Sequence, residues 1–70
     1  MDILNKIMWI ARDWDGLLFL HSKKPYKKGF EWVNDGNDPM LIKDDTFSEV
    51  QWKDEEPTEV KLIVKREYYD

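Results

Sequence analysis

Four clusters of turn-forming residues divide this chain into segments too short for anything but strands. They are Asp13-Trp14-Asp15-Gly16, Lys23-Lys24-Pro25, the six residues 34–39, and Lys53-Asp54-Glu55-Glu56-Pro57. Glycine accepts positive φ without steric cost and proline cannot donate to a central ladder, so such clusters end strands as well as connect them. The segments between them are rich in β-branched and aromatic residues. Met8-Trp9-Ile10-Ala11-Arg12 and Leu17-Leu18-Phe19-Leu20 flank Asp15-Gly16 and read as a β-hairpin over residues 8–22. Phe30-Glu31-Trp32-Val33 opens at Gly29, with Phe30 and Trp32 expected on one face at period two. Met40-Leu41-Ile42 is a fourth short strand, and Val50-Gln51-Trp52 alternates in the same way.

The last segment is the clearest. In residues 59–68, Val60, Leu62 and Val64 share one face, while Lys61, Lys65 and Glu67 share the other with Ile63 as an apolar exception. Residues 44–49 read as a single helical turn capped by Asp45 or Thr46. Residues 1–7 form either one amphipathic turn or a frayed lead-in. The expected fold is all-β: one domain over residues 1–70, a small curled antiparallel meander or SH3-like barrel of about five strands. So small a sheet needs two packed faces or a partner, which makes a homodimer an expectation of its own. Trp32 and Trp52 are assigned to the core, Trp9 to either side, and Tyr68 and Tyr69 to an extension of the last strand that packs on this chain or a second one.

Composition narrows function mainly by exclusion. Apolar residues at 41% and charged residues at 37% describe a folded domain, not a disordered segment. With no cysteine there is no disulfide framework and no Cys-based zinc site. The longest uncharged stretch, Gly16 to Ser22, falls far short of the roughly 20 residues of a membrane-spanning helix. No secretory signal is visible at the N-terminus, so a cytoplasmic location is the default expectation.

The catalytic inventory is one histidine and two serines. Adjacent strand residues point to opposite faces, so His21 and Ser22 cannot pair as base and nucleophile, and His21 is expected at the surface of a strand end. The carboxylates of the acidic runs are expected to be solvated, with ordinary pKa values. Asp13-Trp14-Asp15-Gly16 and Asp35-Gly36-Asn37-Asp38 echo the start of a calcium loop, but neither continues into its twelve-residue ligand pattern, and hairpin turns account for both. The chain is therefore expected to be no enzyme and to hold no metal or cofactor.

Two charged features and one aromatic remain. The net charge is −4, yet residues 21–33 carry +3 and residues 34–59 carry −7. Lys23, Lys24, Lys27 and Lys28 surround Tyr26, a combination that could contact phosphates and stack a base. Against it stand the acidic overall charge and the lack of an arginine there; a lysine loop lying on the chain's own acidic stretch explains it equally. Asp54, Glu55, Glu56 and Glu59 form either a solvated connector guarding an edge strand or an acidic surface that steers toward a basic partner. Trp14, between Asp13 and Asp15 in a turn, is either an exposed interaction anchor or a lid on one end of the barrel.

Residues 10–20, Lys24-Pro25, Trp32 and residues 47–60 together give a wording close to IARDxDGxLxLF…KP…W…FPEVxWxDEEPxEV. In this the chain resembles a family of small uncharacterised bacterial and phage-associated proteins, over roughly residues 9–64. The EVxWxDEEPxEV half is the more specific, and Ser48 stands where the pattern has proline. The resemblance transfers no activity, cofactor or catalytic residue. It implies a complete chain, a variable lead-in over residues 1–8 and a gene carried on mobile elements. The leading expectation is a non-enzymatic protein-binding module using Trp14, Asp13, Asp15 and the acidic stretch. The alternative is a nucleic-acid binder acting through the lysine loop; no membrane contact is expected.

Overall fold

The computed structural model describes residues 3–36 and 38–65. Six strands run antiparallel: β1 (Ile3–Arg12), β2 (Leu18–His21), β3 (Tyr26–Lys28), β4 (Glu31–Val33), β5 (Met40–Ile42) and β6 (Thr58–Lys65). They form a four-stranded sheet in the order β5-β2-β1-β6 and a two-stranded sheet of β3 and β4. The domain is all-β, as its turn punctuation requires. Among the described residues no helix is long and apolar enough to cross a membrane.

Neighbours in the large sheet are not sequential. β1 pairs with β2 over Trp9–Arg12, and with β6 from Ile3↔Lys65 to Ile10↔Thr58. Residues 3–7 are therefore neither an amphipathic turn nor a frayed lead-in, because the alternation of the last segment supplies a strand partner for them. Met1, Asp2, Tyr68 and Tyr69 lie outside the described residues. The β1–β2 hairpin is as expected, with Gly16 at φ +93° in its turn.

Three local expectations are corrected. Residues 44–49 are not helical: the backbone N–H of Thr46 bonds the carbonyl of Lys43 and the chain turns again at Val50, whose N–H bonds the carbonyl of Phe47. Val50-Gln51-Trp52 is not a strand either. Its Gln51 N–H is taken by the Asp54 carboxylate, and the Asp54 N–H returns to the Gln51 carbonyl. Phe30 and Trp32 do not share a face. Lys28 pairs with Glu31, so Gly29 and Phe30 are the two loop residues of the β3–β4 hairpin. Gly29 has φ +64° while Phe30 does not have positive φ, the pattern of a II′ turn with glycine first. β3 itself lies in what the sequence presents as a lysine loop.

The core is small. Ile10, Leu18 and Val50 are buried together, with Leu20, Ile42 and Val60 against them. Val50 reaches this cluster from a loop, and Arg12 holds that loop in place. Its Nε donates to the Val50 carbonyl at 2.7 Å. Nη1 donates to the carbonyls of Gly16 (2.8 Å) and Asp44 (3.0 Å), and Nη2 to those of Thr46 (3.0 Å) and Phe47 (3.3 Å). Every guanidinium N–H thus meets a backbone carbonyl. The clamp also holds Phe47 at φ +49°, a left-handed conformation that costs a non-glycine residue about 1–2 kcal/mol.

Lysine keeps the charge but not the fork, so Arg12→Lys should lose most of these bonds. Urea denaturation is expected to show a loss of about 2–4 kcal/mol for charged hydrogen bonds broken together. Lys43→Ala, whose ammonium makes only an exposed pair with Asp45, should change stability by less than about 0.5 kcal/mol.

Candidate interaction site at the two hairpin turns

The β1–β2 turn is closed by its own backbone: Asp13 N–H bonds the Leu17 carbonyl at 2.8 Å, and Gly16 N–H bonds the Asp13 carbonyl at 2.9 Å. The Asp15 carboxylate accepts the Leu17 N–H. Two adjacent residues of this turn then grip the second hairpin. The Asp13 carboxylate accepts the Trp32 N–H at 2.9 Å, and Trp14 N–H donates to the Phe30 carbonyl at 3.1 Å. The two turns are thereby mounted side by side.

This mounting leaves two aromatic rings outside. Trp14 is 63% exposed and Phe30 72%, with ring centroids 5.5 Å apart at a tilt of 52°. Trp14 is thus no lid, since most of its surface faces solvent. The pair borders an open concavity of about 370 Å³ shared with Asp13, Asp15, Lys28 and Glu31. Burial is the main reason that the Asp13 carboxyl titrates above its usual range. The charges of Asp15 and Glu31 push the same way, and the Trp32 N–H partly offsets both. Three carboxylates therefore share one electrostatic neighbourhood. Among the described residues, however, no three His, Asp or Glu side chains form a group that could hold a metal ion.

The acidic stretch lies elsewhere. Glu55, Glu56 and Pro57 line a second cleft with Lys24, Pro25, Tyr26, Lys27 and Trp32. Lys24 and Glu56 form an exposed ion pair at 3.5 Å. Lys27 sits over the rings of Trp52, at 4.3 Å from the centroid, and Trp32, at 5.3 Å, while the two indoles meet edge to face at 6.4 Å. Tyr26 donates its hydroxyl to Asp35 at 3.1 Å, which raises the phenol's pKa. Asp54 is used within its own turn, and Glu59 lies opposite Trp9 in the β1–β6 ladder. Of the lysine cluster, Lys28 alone lines the Trp14 concavity. Trp32 is buried, and Trp52 is half-buried in a turn.

His21 is fully buried, not at the surface. The Asn34 side-chain amide contacts Nδ1 at 2.8 Å. An amide Nδ2 can only donate, so Nδ1 accepts and the neutral ring carries its proton on Nε2, which has no hydrogen-bond partner among the described residues. Protonating Nδ1 would set donor against donor in a buried site. Burial accordingly lowers the imidazole pKa.

Phe30, Glu31 and Asn34 escaped the sequence reading as site residues. The Lys28-Gly29-Phe30-Glu31 string carried a usable signal, a glycine-first two-residue hairpin that turns Phe30 outward. No family model matches this chain, and neither a curated protein nor a solved structure gives a significant match to it.

His21 is the only histidine, so its ring resonances can be followed by NMR without ambiguity. Its midpoint is expected below the 6.5 of a free imidazole, and at about 6.5 in urea. Because the unfolded chain then binds the proton more tightly, His21's contribution to stability should be complete above about pH 6.5 and fall as pH drops toward the folded-state midpoint. Urea midpoints measured from pH 7.5 to 5.5 check the sign.

Proposed function

We propose that this chain is a non-enzymatic protein-binding module whose Trp14–Phe30 pair anchors a partner segment carrying a lysine or arginine. The observation that carries the reading is the pairing of two exposed aromatic rings, fixed by backbone bonds across two turns, with three carboxylates around them. Indole and phenyl faces attract a cation, and tryptophan is enriched among binding hot spots. Among the described residues these carboxylates form no metal-holding group, and their spread along the concavity suits an extended ammonium or guanidinium side chain better than a compact metal ion. The turns that carry the rings are already fixed, so binding orders little backbone.

The acidic stretch is an auxiliary in this reading. Asp54 and Glu56 are engaged within the fold, which leaves Glu55 to attract a basic partner over longer range. The phage-associated origin that the resemblance implies belongs to the same proposal. A non-enzymatic role is supported by the burial of His21, which keeps its ring from any substrate in solvent. The nucleic-acid alternative loses force because Lys24, Tyr26 and Lys27 are each engaged by Glu56, Asp35 and the two indoles.

The test is NMR titration with short peptides of basic, neutral and acidic sequence, alongside single-stranded DNA. Basic peptides should shift the Trp14 indole and Phe30 ring signals. Trp14→Ala should weaken their binding by roughly thirtyfold, a loss of about 2 kcal/mol typical of a hot spot. Binding of DNA that falls steeply with salt and disappears on neutralising Lys23 and Lys28 would move the function to the lysine cluster. Indifference of the Trp14 and Phe30 signals to every peptide would overturn the proposal.

A further inference from the structure

β2 covers β1 only from Trp9 to Arg12, whereas β6 pairs with β1 down to Ile3. Beyond Trp9 the sheet therefore narrows to a two-stranded ribbon, residues 3–8 against residues 60–65, and the molecule reaches 50 Å in its longest dimension. This ribbon is at the opposite end of β1 from Trp14. It carries apolar side chains on both faces: Ile7 is 49% exposed, Leu62 45% and Ile63 56%. Two strands alone are marginal in water and gain stability from a third. β6 is also the end strand of the sheet, so among the described residues its outer row of N–H and C=O groups has no strand partner.

We propose that β6 is the seam of a homodimer, in which two copies pair antiparallel through this strand about a two-fold axis at Leu62. The four-stranded sheet would then continue through the seam as eight strands. The sequence of β6 is self-complementary about that point. Leu62 opposes itself, Val60 falls opposite the Val64 position, Lys61 opposite Ile63, and Glu59 opposite the Lys65 position, twice over by symmetry. Cross-strand pairs of opposite charge stabilise a sheet and like charges destabilise it.

Neighbouring registers are worse. An axis at Lys61 sets that lysine against itself, and an axis at Ile63 sets Lys61 against the Lys65 position. The free rim of β1 over residues 3–8 has Lys6 as its only charge and nothing of opposite sign to match it. Pairing β6 on β6 also closes after two copies, whereas β6 on β1 is a head-to-tail contact that leads to rings or open filaments. The even-numbered face of the seam continues an existing apolar surface, since Val60 already packs against the core cluster.

The absence of cysteine gives a direct test. Opposed residues in an antiparallel pair have Cα atoms about 4.5–5.5 Å apart, within disulfide reach. Leu62→Cys should therefore form a covalent dimer readily under mild oxidation. Met40→Cys, at a still more exposed position on β5, should not. Sedimentation of the unmodified chain should show a monomer–dimer equilibrium. Glu59→Lys and Lys65→Glu should each weaken it about tenfold, the size expected for two symmetric like-charge pairs. The double variant should restore it, a rescue that general misfolding would not give. A monomer at every concentration, open-ended polymers, equal cross-linking of both cysteine variants, or failure of the double variant to recover would each overturn the seam. Trp14→Ala should leave the dimer intact, so this surface and the peptide-binding surface stand or fall separately.

Discussion

A single guanidinium organises the part of this molecule that has no secondary structure. Residues 43–57 cross from β5 to β6 without a strand or helix, yet they supply Val50, one of the three residues at the centre of the core. A loop that must deliver a core side chain needs its carbonyls satisfied away from water. Arg12 satisfies four of them, and a fifth in the β1–β2 turn, from the last position of the central strand. Among the described residues its hydrogen-bond acceptors are all backbone carbonyls, so the guanidinium ties the loop without using any of the loop's acidic side chains.

The same economy recurs at the first turn, where neighbouring residues do different work. Arg12 points its donors into the loop, Asp13 presents a carboxylate to the backbone of β4, and Trp14 extends its ring outward while its N–H holds the second hairpin. Lys27 adds a third tie by placing its ammonium over the indoles of β4 and of the loop after Val50. Few of these contacts involve apolar burial. In a chain of 70 residues the buried cluster is small, and directional bonds to backbone carry much of the specification that a larger core would otherwise provide.

What the sequence disclosed follows the range of the interactions concerned. The all-β class, the first hairpin and the alternating last strand rest on local periodicity and turn chemistry, and those are visible in a window of ten residues. The partner of the last strand was not, because Ile3–Met8 shows its purpose only when Val60–Lys65 lies beside it. Val50-Gln51-Trp52 alternates like a strand and is a turn, since Arg12 competes for its backbone from 38 positions away. At the candidate site Trp14 and its aspartates stood out for being a large ring in a turn. Phe30 did not, because period two beside Trp32 suggested a shared face and the glycine before it was read as the start of a strand. His21 looks like a strand-end polar residue, but it is buried, with its Nδ1 met by the side chain of Asn34, a residue just beyond β4 and 13 positions away.

Pairing the first strand with the last has a kinetic consequence. β1 leaves the ribosome well before its long-range partner, which begins only at Thr58. The edge of β1 that faces β6 must therefore stay unpaired until residues 58–65 have been made. Closing so long a loop costs entropy before any ladder bond repays it, and topologies of this kind fold slowly for their size. The acidic residues that crowd the later half of the chain would keep such nascent copies apart by mutual repulsion while they wait for their final strand.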